Sequence, residues 1–235
     1  MEAEKKRITL LGIPVDMVDR KEAMDVFASL MEEEECRLVV TPNSEILAQA
    51  SRDSSLAEII RSAALVVPDG IGLVYASKII GVPLKERVTG IDLLTMILDW
   101  LNRNGKSIFL LGSRPGTEDE PGVADRAADQ MKKTFPGLVV AGTHHGYFEK
   151  REEAEIVKTI NASGADMLCV AMGAPRQEQF IAAHRNQLRP RVAIGVGGSL
   201  DVWAGTVKRA PVFYQKHGLE WLYRLIRQPG RLKRI

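Results

Sequence analysis

The chain has 235 residues, of which 26% are charged and 45% hydrophobic, and it contains 20 Gly, 11 Pro and 2 Cys. This composition excludes a disordered chain, a collagen-like repeat and a disulfide-rich mini-protein. The net charge of +2 is unevenly distributed, because residues 207–235 hold eight Lys/Arg against one acid. That segment carries +7, which leaves −5 for the first 206 residues. We therefore expect an acidic body, 1–206, and a strongly basic C-terminal appendage, 207–235.

The two cysteines indicate the compartment. Cys36 and Cys169 belong to no C-x-x-C pair and lie beside apolar runs, which predicts buried, reduced thiols and a cytoplasmic protein. The apolar stretch after Arg7 is too short for a signal peptide. The longest apolar stretch, 63–84, is interrupted by charged residues and a proline, so a membrane-spanning helix is not expected there.

Short apolar runs alternate with segments of helical periodicity. Strands are predicted at Ile8–Leu11, Leu38–Thr41, Ala64–Val67, Ser107–Leu111, Leu138–Ala141, Met167–Ala171 and Val192–Val196. Helices are predicted near 20–34, 44–61, 71–80, 91–103, 122–134, 151–162 and 176–187, with a capping box of Asp19 and Glu22 opening the first and Gly105 closing the fourth. Because the strands are apolar on both faces, the alternation predicts a doubly wound, mostly parallel, Rossmann-like α/β fold.

The segments that follow the predicted strands are rich in Gly, Pro and small polar residues. Six of them share this character: 41–45, 68–72, 112–116, 142–146, 173–178 and 197–201. In a parallel sheet these segments meet at one edge, where ligands bind and where helix N-termini offer free N–H groups. The sequence therefore predicts a small anionic ligand at this edge.

Several common cofactor motifs are incomplete. The run 195–198 has Leu200 where a dinucleotide-binding motif needs its third glycine, and Gly105-Lys106-Ser107 lacks the first glycine of a P-loop. The sequence contains no Asp-x-Asp, the usual clamp for a nucleotide-bound metal. The adjacent pair His144-His145 does not have metal-ligand spacing. We expect neither a cofactor nor a metal.

Asp69 is the strongest candidate for a catalytic group. It follows an apolar run and Pro68 and precedes Gly70, so its carboxylate is placed at a strand exit, as a general base requires. Asp is equally suited to capping the helix that starts at Ile71. Local sequence leaves both roles open.

Other strand-exit residues are candidate ligand contacts. Arg87, followed by Thr89 and Gly90, precedes a helix and could help bind an anion, or it could be a surface arginine. Gln177 and Glu178 lie in a helical first turn, where an acidic residue also complements the helix dipole. Thr41 and Asn43 could hydrogen-bond a sugar, or could only serve the turn around Pro42.

The tail has the pattern of a basic amphipathic helix. Leu219, Trp221, Leu222, Leu225 and Ile226 share one face, and Glu220, Arg224 and Arg227 share another. Three interpretations are open: a terminal helix docked on the core, a helix that binds anionic lipid, and a nucleic-acid-binding segment.

These motifs together resemble a known family. They are Thr41-Pro42-Asn43, Pro68-Asp69-Gly70, Arg87-Val88-Thr89-Gly90-Ile91-Asp92, Gly142-Thr143-His144-His145-Gly146-Tyr147-Phe148, Gly173-Ala174-Pro175-Arg176-Gln177-Glu178, Arg209-Ala210-Pro211 and Gly218-Leu219-Glu220-Trp221-Leu222-Tyr223-Arg224-Leu225. Nearly the whole chain is similar to the WecG/TagA/CpsF glycosyltransferases, in the family's order. One departure is 117–122, an acidic segment that looks inserted and lies away from the motifs.

The resemblance implies a reaction. N-acetylmannosamine would pass from UDP-N-acetylmannosamine to the 4-hydroxyl of N-acetylglucosamine on undecaprenyl diphosphate, forming the β-1,4 linkage of the wall teichoic acid linkage unit. The transfer would be inverting and metal-independent, with Asp69 as the base. The substrate-binding residues carried over or adjoining the motifs are Thr41, Asn43, Arg87, Thr89, Gly90, Gly173, Gln177, Glu178, Gly198 and Asp201.

The tail is expected to work at the membrane. Its candidate lipid and acceptor contacts are Arg209, Trp221, Arg224, Arg227 and Arg231. The expected partners are the UDP-sugar, the polyprenyl-diphosphate acceptor and the anionic inner face of the cell membrane, with peripheral association and no nucleic acid; a homo-oligomer is allowed. We also expect the tail to supply an arginine to the departing UDP and so to couple catalysis to the membrane.

Two alternatives use the same features. A WecG-type enzyme would transfer N-acetylmannosaminuronic acid to the same acceptor and would need one more cation for the donor carboxylate. A non-enzymatic α/β protein could instead bind nucleotides or nucleic acid through the tail, with a steep salt dependence.

Overall fold

The computed structural model describes residues 6–216 and 218–227. Its centre is a six-stranded sheet in the order β4-β3-β8-β7-β5-β6, and every neighbouring pair is parallel. The strands are β3 (Arg37–Val40), β4 (Leu65–Val66), β5 (Ser107–Gly112), β6 (Val139–His144), β7 (Met167–Ala171) and β8 (Val192–Gly195). The predicted parallel sheet is confirmed.

The first predicted strand is real but lies outside this sheet. β1 (Arg7–Leu10) pairs antiparallel with β2 (Ile13–Asp16), a strand that the sequence interpretation missed. The two residues between them, Leu11 and Gly12, both have positive φ, as a tight hairpin turn requires. Leu is unusual in that conformation, so the turn carried no strong sequence signal.

Helices cover both faces of the sheet. The body contains α1 (Arg20–Leu30), α2 (Ser44–Ala50), α3 (Ser54–Arg61), α4 (Ile71–Ile79), α5 (Gly90–Arg103), α6 (Val123–Thr134), α7 (Glu153–Ala162), α8 (Arg176–His184) and α9 (Ser199–Trp203). The capping box of Asp19 and Glu22 is confirmed, and Gly105 has the positive φ of a helix-ending glycine. The helix predicted over 44–61 is two helices, because the Asp53 side chain accepts from Ser55 N at 3.0 Å and starts a new one.

The sheet separates two apolar cores. Met167, Cys169 and Ala171 of β7 face the core formed with α1, α5, α6 and α9, and Leu168 and Val170 face the core under α2, α3, α7 and α8. This alternation on a strand buried on both faces confirms the doubly wound architecture. Cys36 and Cys169 are both buried and unpaired, as predicted. Burial raises the pKa of the Cys36 thiol to about 12.

Two short helices follow the body, α10 (Val212–Lys216) and α11 (Glu220–Arg227). α11 coincides with the predicted amphipathic helix. The predicted tail residue Arg231 lies outside the described residues. Within residues 6–216 and 218–227, none of the helices is long and apolar enough to cross a membrane.

Candidate functional site

A cavity of about 280 Å³ opens at the carboxyl ends of β3, β4, β7 and β8. Its walls are the segments that follow these strands, together with the start of α5 and the turn before α11. The predicted site residues that line it are Thr41, Asn43, Asp69, Arg87, Thr89, Gly90, Gly173, Gln177, Gly198 and Trp221. The fold therefore brings segments that lie as far apart in sequence as Thr41 and Trp221 into one site. This site is at the edge where parallel sheets bind ligands.

Asp69 is held by its own turn and by α5. Its backbone N–H donates to Pro42 O at 3.1 Å, and its Oδ2 accepts from Gly90 N at 3.2 Å. The N-cap of α4 is Gly70, with φ of 111° and no side-chain cap. The capping role at α4 is therefore wrong, and the carboxylate instead lies on the positive end of α5.

Glycine at position 90 lets α5 approach this carboxylate. A Cβ built at Gly90 would lie 3.0 Å from Thr41 Oγ1 and 3.4 Å from Asp69 Oδ2. A side chain here would press on both groups. Thr89 beside it caps α5, since its side chain accepts from Asp92 N at 3.2 Å.

Asn43 serves the local turn as well as the cavity. Its Oδ1 accepts from Ile46 N at 3.0 Å and caps α2, a structural role that the sequence interpretation did not name. The amide nitrogen of Asn43 is not used by that bond. Thr41 lies on the neighbouring wall, where its Oγ1 is 3.5 Å from Gly195 O.

Arg87 is paired with the tail. Its guanidinium makes an ion pair with Glu220, and Nη1 donates to Gln215 O at 3.2 Å. The two side chains are 17% and 7% exposed, so the alternative of a free surface arginine is wrong. Glu220 is itself a cavity residue that the sequence interpretation missed. The sequence feature that could have identified Glu220 is its position as the one acidic residue of the basic segment 207–235.

Two further predicted tail residues are now placed. Arg209 donates to Asp92 Oδ1 at 2.6 Å, so it docks the tail on α5. Trp221 lines the cavity mouth and is 53% exposed. Arg224 and Arg227 lie on α11, and their membrane role stays a prediction.

Gln177 and Glu178 are neighbours in sequence, but only Gln177 lines the cavity. Gln177 lines the cavity and donates from Nε2 to Glu178 Oε1 at 2.7 Å, while its Oε1 accepts from Gly197 N at 3.0 Å. Glu178 lies behind it, buried, and burial raises the pKa of its carboxyl above the ordinary value. Asp201 also stands back from the cavity, on α9, where its Oδ2 accepts from Ser113 Oγ at 3.2 Å.

The charges around the cavity are mostly negative. Among its described lining residues, Arg87 is the cation, and Glu45, Asp69 and Glu220 are the acids. In residues 6–216 and 218–227, no group of three or more His, Cys, Asp or Glu is arranged to hold a metal ion. Carboxylates, amides and one guanidinium at a glycine-lined sheet edge can bind a polar ligand and move a proton.

The fold and this site define an α/β protein with a polar ligand cavity at the sheet edge, and sequence comparison identifies its family. The glycosyl transferase WecG/TagA/CpsF family matches residues 8–235. The chain therefore belongs to the WecG/TagA/CpsF family of glycosyltransferases, and the resemblance predicted from its motifs is confirmed.

Two relatives carry the name N-acetylglucosaminyldiphosphoundecaprenol N-acetyl-beta-D-mannosaminyltransferase. The protein from Bacillus spizizenii is 40% identical over 197 residues, which cover 84% of this chain and 74% of the relative. The protein from Staphylococcus aureus is 35% identical over 234 residues, which cover 97% of this chain and 89% of the relative.

Proposed function

We propose that this protein transfers N-acetylmannosamine from UDP-N-acetylmannosamine to the 4-hydroxyl of N-acetylglucosamine on undecaprenyl diphosphate, forming a β-1,4 linkage in the wall teichoic acid linkage unit. The names of the relatives support the sugar and the lipid acceptor. The single observation that carries the site assignment is the carboxylate of Asp69 inside the glycine-lined cavity.

Asp69 acts as the general base. In a single inverting displacement the acceptor hydroxyl attacks the anomeric carbon on the face opposite the departing UDP, and a carboxylate beside it takes the proton. The bond from Gly90 N–H to Oδ2 supports this role, because it fixes the direction of the carboxylate inside the cavity.

UDP departs as an anion, and in a metal-independent reaction it needs cations and N–H groups from the protein. Arg87, the 173–177 turn and one arginine of the tail supply them. Since Arg87 is paired with Glu220, the guanidinium reaches a diphosphate only when that carboxylate shares it or moves away. Thr41, Asn43 and Gln177, which line the cavity, contact the sugar nucleotide.

The tail, 207–235, is a separate functional part that associates with the inner face of the membrane and covers the site. Its apolar side chains support this role: Phe213 is 61% exposed, Trp221 53% and Ile226 64%. Amphipathic helices with such residues bind at lipid surfaces, and basic residues add attraction to anionic headgroups. The enzyme is then cytoplasmic and peripheral.

The described site favours a neutral donor sugar over a uronic acid. A donor carboxylate needs a further cation, and Arg87 is the cation among the described lining residues and is already paired.

The test is a transfer assay with a short-chain lipid diphosphate that carries N-acetylglucosamine, and a panel of UDP-sugars, with and without EDTA. We expect transfer from UDP-N-acetylmannosamine that EDTA does not reduce. Preference for the uronic acid donor would replace this function with the WecG-type reaction. Loss of activity with EDTA would contradict the metal-independent mechanism. RNA binding with no sugar transfer would overturn the proposal.

A further inference from the structure

The buried pair of Gln177 and Glu178 connects two walls of the cavity. Gln177 is the second residue of α8, which follows β7, and Gly197 lies in the turn between β8 and α9. Two hydrogen bonds involve the Gln177 amide. Gly197 N–H donates to its Oε1 at 3.0 Å, and its Nε2 donates to Glu178 Oε1 at 2.7 Å. The turn that carries Gly197 and Gly198 is thus tied to α8 through one side-chain amide.

The Gln177 amide has two orientations, and its two partners favour the same one. A carboxamide has donors on nitrogen and acceptors on oxygen, so a rotation by half a turn would aim its N–H groups at the N–H of Gly197. The acceptor oxygen of Glu178 prevents this, because it binds the Gln177 nitrogen and leaves the oxygen for Gly197. Glu178 thereby holds the amide in the orientation that Gly197 requires.

The strand β8 leaves room for the side chains of Gln177 and Glu178. A Cβ at Gly195 would lie 2.5 Å from Gln177 Nε2 and 2.9 Å from Glu178 Oε1, so glycine is needed where β8 passes. Glu178 is 3% exposed, and its Oε2 has no hydrogen-bond partner among the described residues. Such a carboxyl avoids the cost of a buried charge when it carries a proton, and burial does raise its pKa.

We propose that Glu178 is a positioning residue: it orients the Gln177 amide, and through that amide it fixes the Gly197–Gly198 turn that forms one wall of the donor cavity. Glu178 itself does not touch the donor. This role rests on the proposed function, since the cavity is taken as the site of the UDP-sugar.

The test compares Glu178→Met, which keeps the length of the side chain and removes the acceptor, with Glu178→Gln, which keeps an acceptor oxygen. The control is Glu58→Met on the exposed surface of α3. UDP affinity is measured by calorimetry, donor KM and kcat by the transfer assay, and the mobility of 195–199 by hydrogen–deuterium exchange without ligand.

We expect Glu178→Met to weaken UDP binding by about tenfold, the effect of leaving one buried polar group unpaired. Donor KM should rise more than kcat falls, exchange in 195–199 should be faster, and Glu178→Gln should stay within about threefold of the wild type in both measurements. If Glu178→Met does not fold, Glu178→Asp replaces it, because its shorter side chain withdraws the acceptor.

Wild-type UDP affinity in a folded Glu178→Met would overturn the proposal, and so would equal damage in Glu178→Gln. Failure of the wild type to bind UDP would overturn the proposed function instead. In that case the exchange experiment still decides the positioning role, which fails if 195–199 exchanges equally in wild type and Glu178→Met.

Discussion

The body and the tail of this protein are held together by different forces. The body consists of a parallel sheet between two apolar cores, in which strand side chains are buried on both faces. Among the described residues, the tail contacts the body through the ion pairs of Arg87 with Glu220 and Arg209 with Asp92. A hydrogen bond from Arg87 to Gln215 O and the close approach of Gly218 to Ile71 add to them. Several of its large apolar side chains face outward.

This difference predicts that the tail can leave the body without unfolding it. Apolar burial makes the body one cooperative unit, whereas a few charged contacts can open and close without unfolding it. Both ion pairs join the tail to α5 or to the segment just before it, next to the turn that carries Asp69. Because Glu220 and Trp221 of the tail line the cavity, a displaced tail would remove part of its wall.

The largest effect is expected in the body. Asp69→Asn keeps an oxygen that can accept from Gly90 N–H but removes the base, so turnover should fall by about 10²-fold or more while donor affinity stays. Steady-state kinetics with calorimetry of UDP-sugar binding measures both. Asp119→Asn, in the exposed acidic loop, is the control. Lost folding of Asp69→Asn would point to a structural role for the carboxylate.

Removal of the tail should have the next largest effect. A chain ending at residue 206 should fold and bind UDP-sugar, yet turn over about tenfold or more slowly, because charged hydrogen bonds to the leaving group are missing. Thermal unfolding confirms the fold, and the transfer assay gives the rate. Full activity of the truncated protein would disprove the coupling between tail and site.

Glu220→Gln should loosen the tail without affecting the body. Breaking a buried ion pair leaves Arg87 with an uncompensated charge, which is far more costly than losing an exposed pair. Hydrogen exchange in 212–227 should therefore rise about tenfold or more, while exchange in β7 and β8 stays constant. Asp25→Asn removes an exposed ion pair with Lys21 and serves as the control. Unchanged exchange would mean that other contacts dock the tail.

The smallest effect concerns pH and Glu178. A carboxyl whose pKa is higher in the folded than in the unfolded state stabilises the fold fully below the unfolded pKa and loses that contribution as pH rises. The wild type should therefore lose stability relative to Glu178→Gln as pH rises from the ordinary glutamate value of 4.5. Melting temperatures of both proteins across this range measure the gap, and a constant gap would contradict the raised pKa.

Local patterns were enough for most of the fold. β7 occupies the predicted residues Met167–Ala171, and the capping box of Asp19 and Glu22 opens α1 as expected, because apolar periodicity and capping depend on neighbours in sequence. The hairpin of β1 and β2 escaped prediction because Leu11 gives no turn signal. The break between α2 and α3 escaped it because the Asp53 cap lies within a continuous helical pattern.

By itself the sequence determined the fold class, the family and most residues of the cavity, since glycine-rich strand exits and their motifs are local features. Only the tertiary structure decided how those residues are paired. Asp69 accepts from Gly90 instead of capping α4, Arg87 is paired with Glu220, and Glu178 stands behind Gln177. These contacts join segments up to 133 positions apart, or depend on burial, and neither quantity can be seen in a local pattern. The charge contrast between body and tail was already in the composition, but the fold placed one acid of that basic tail on the arginine of the cavity.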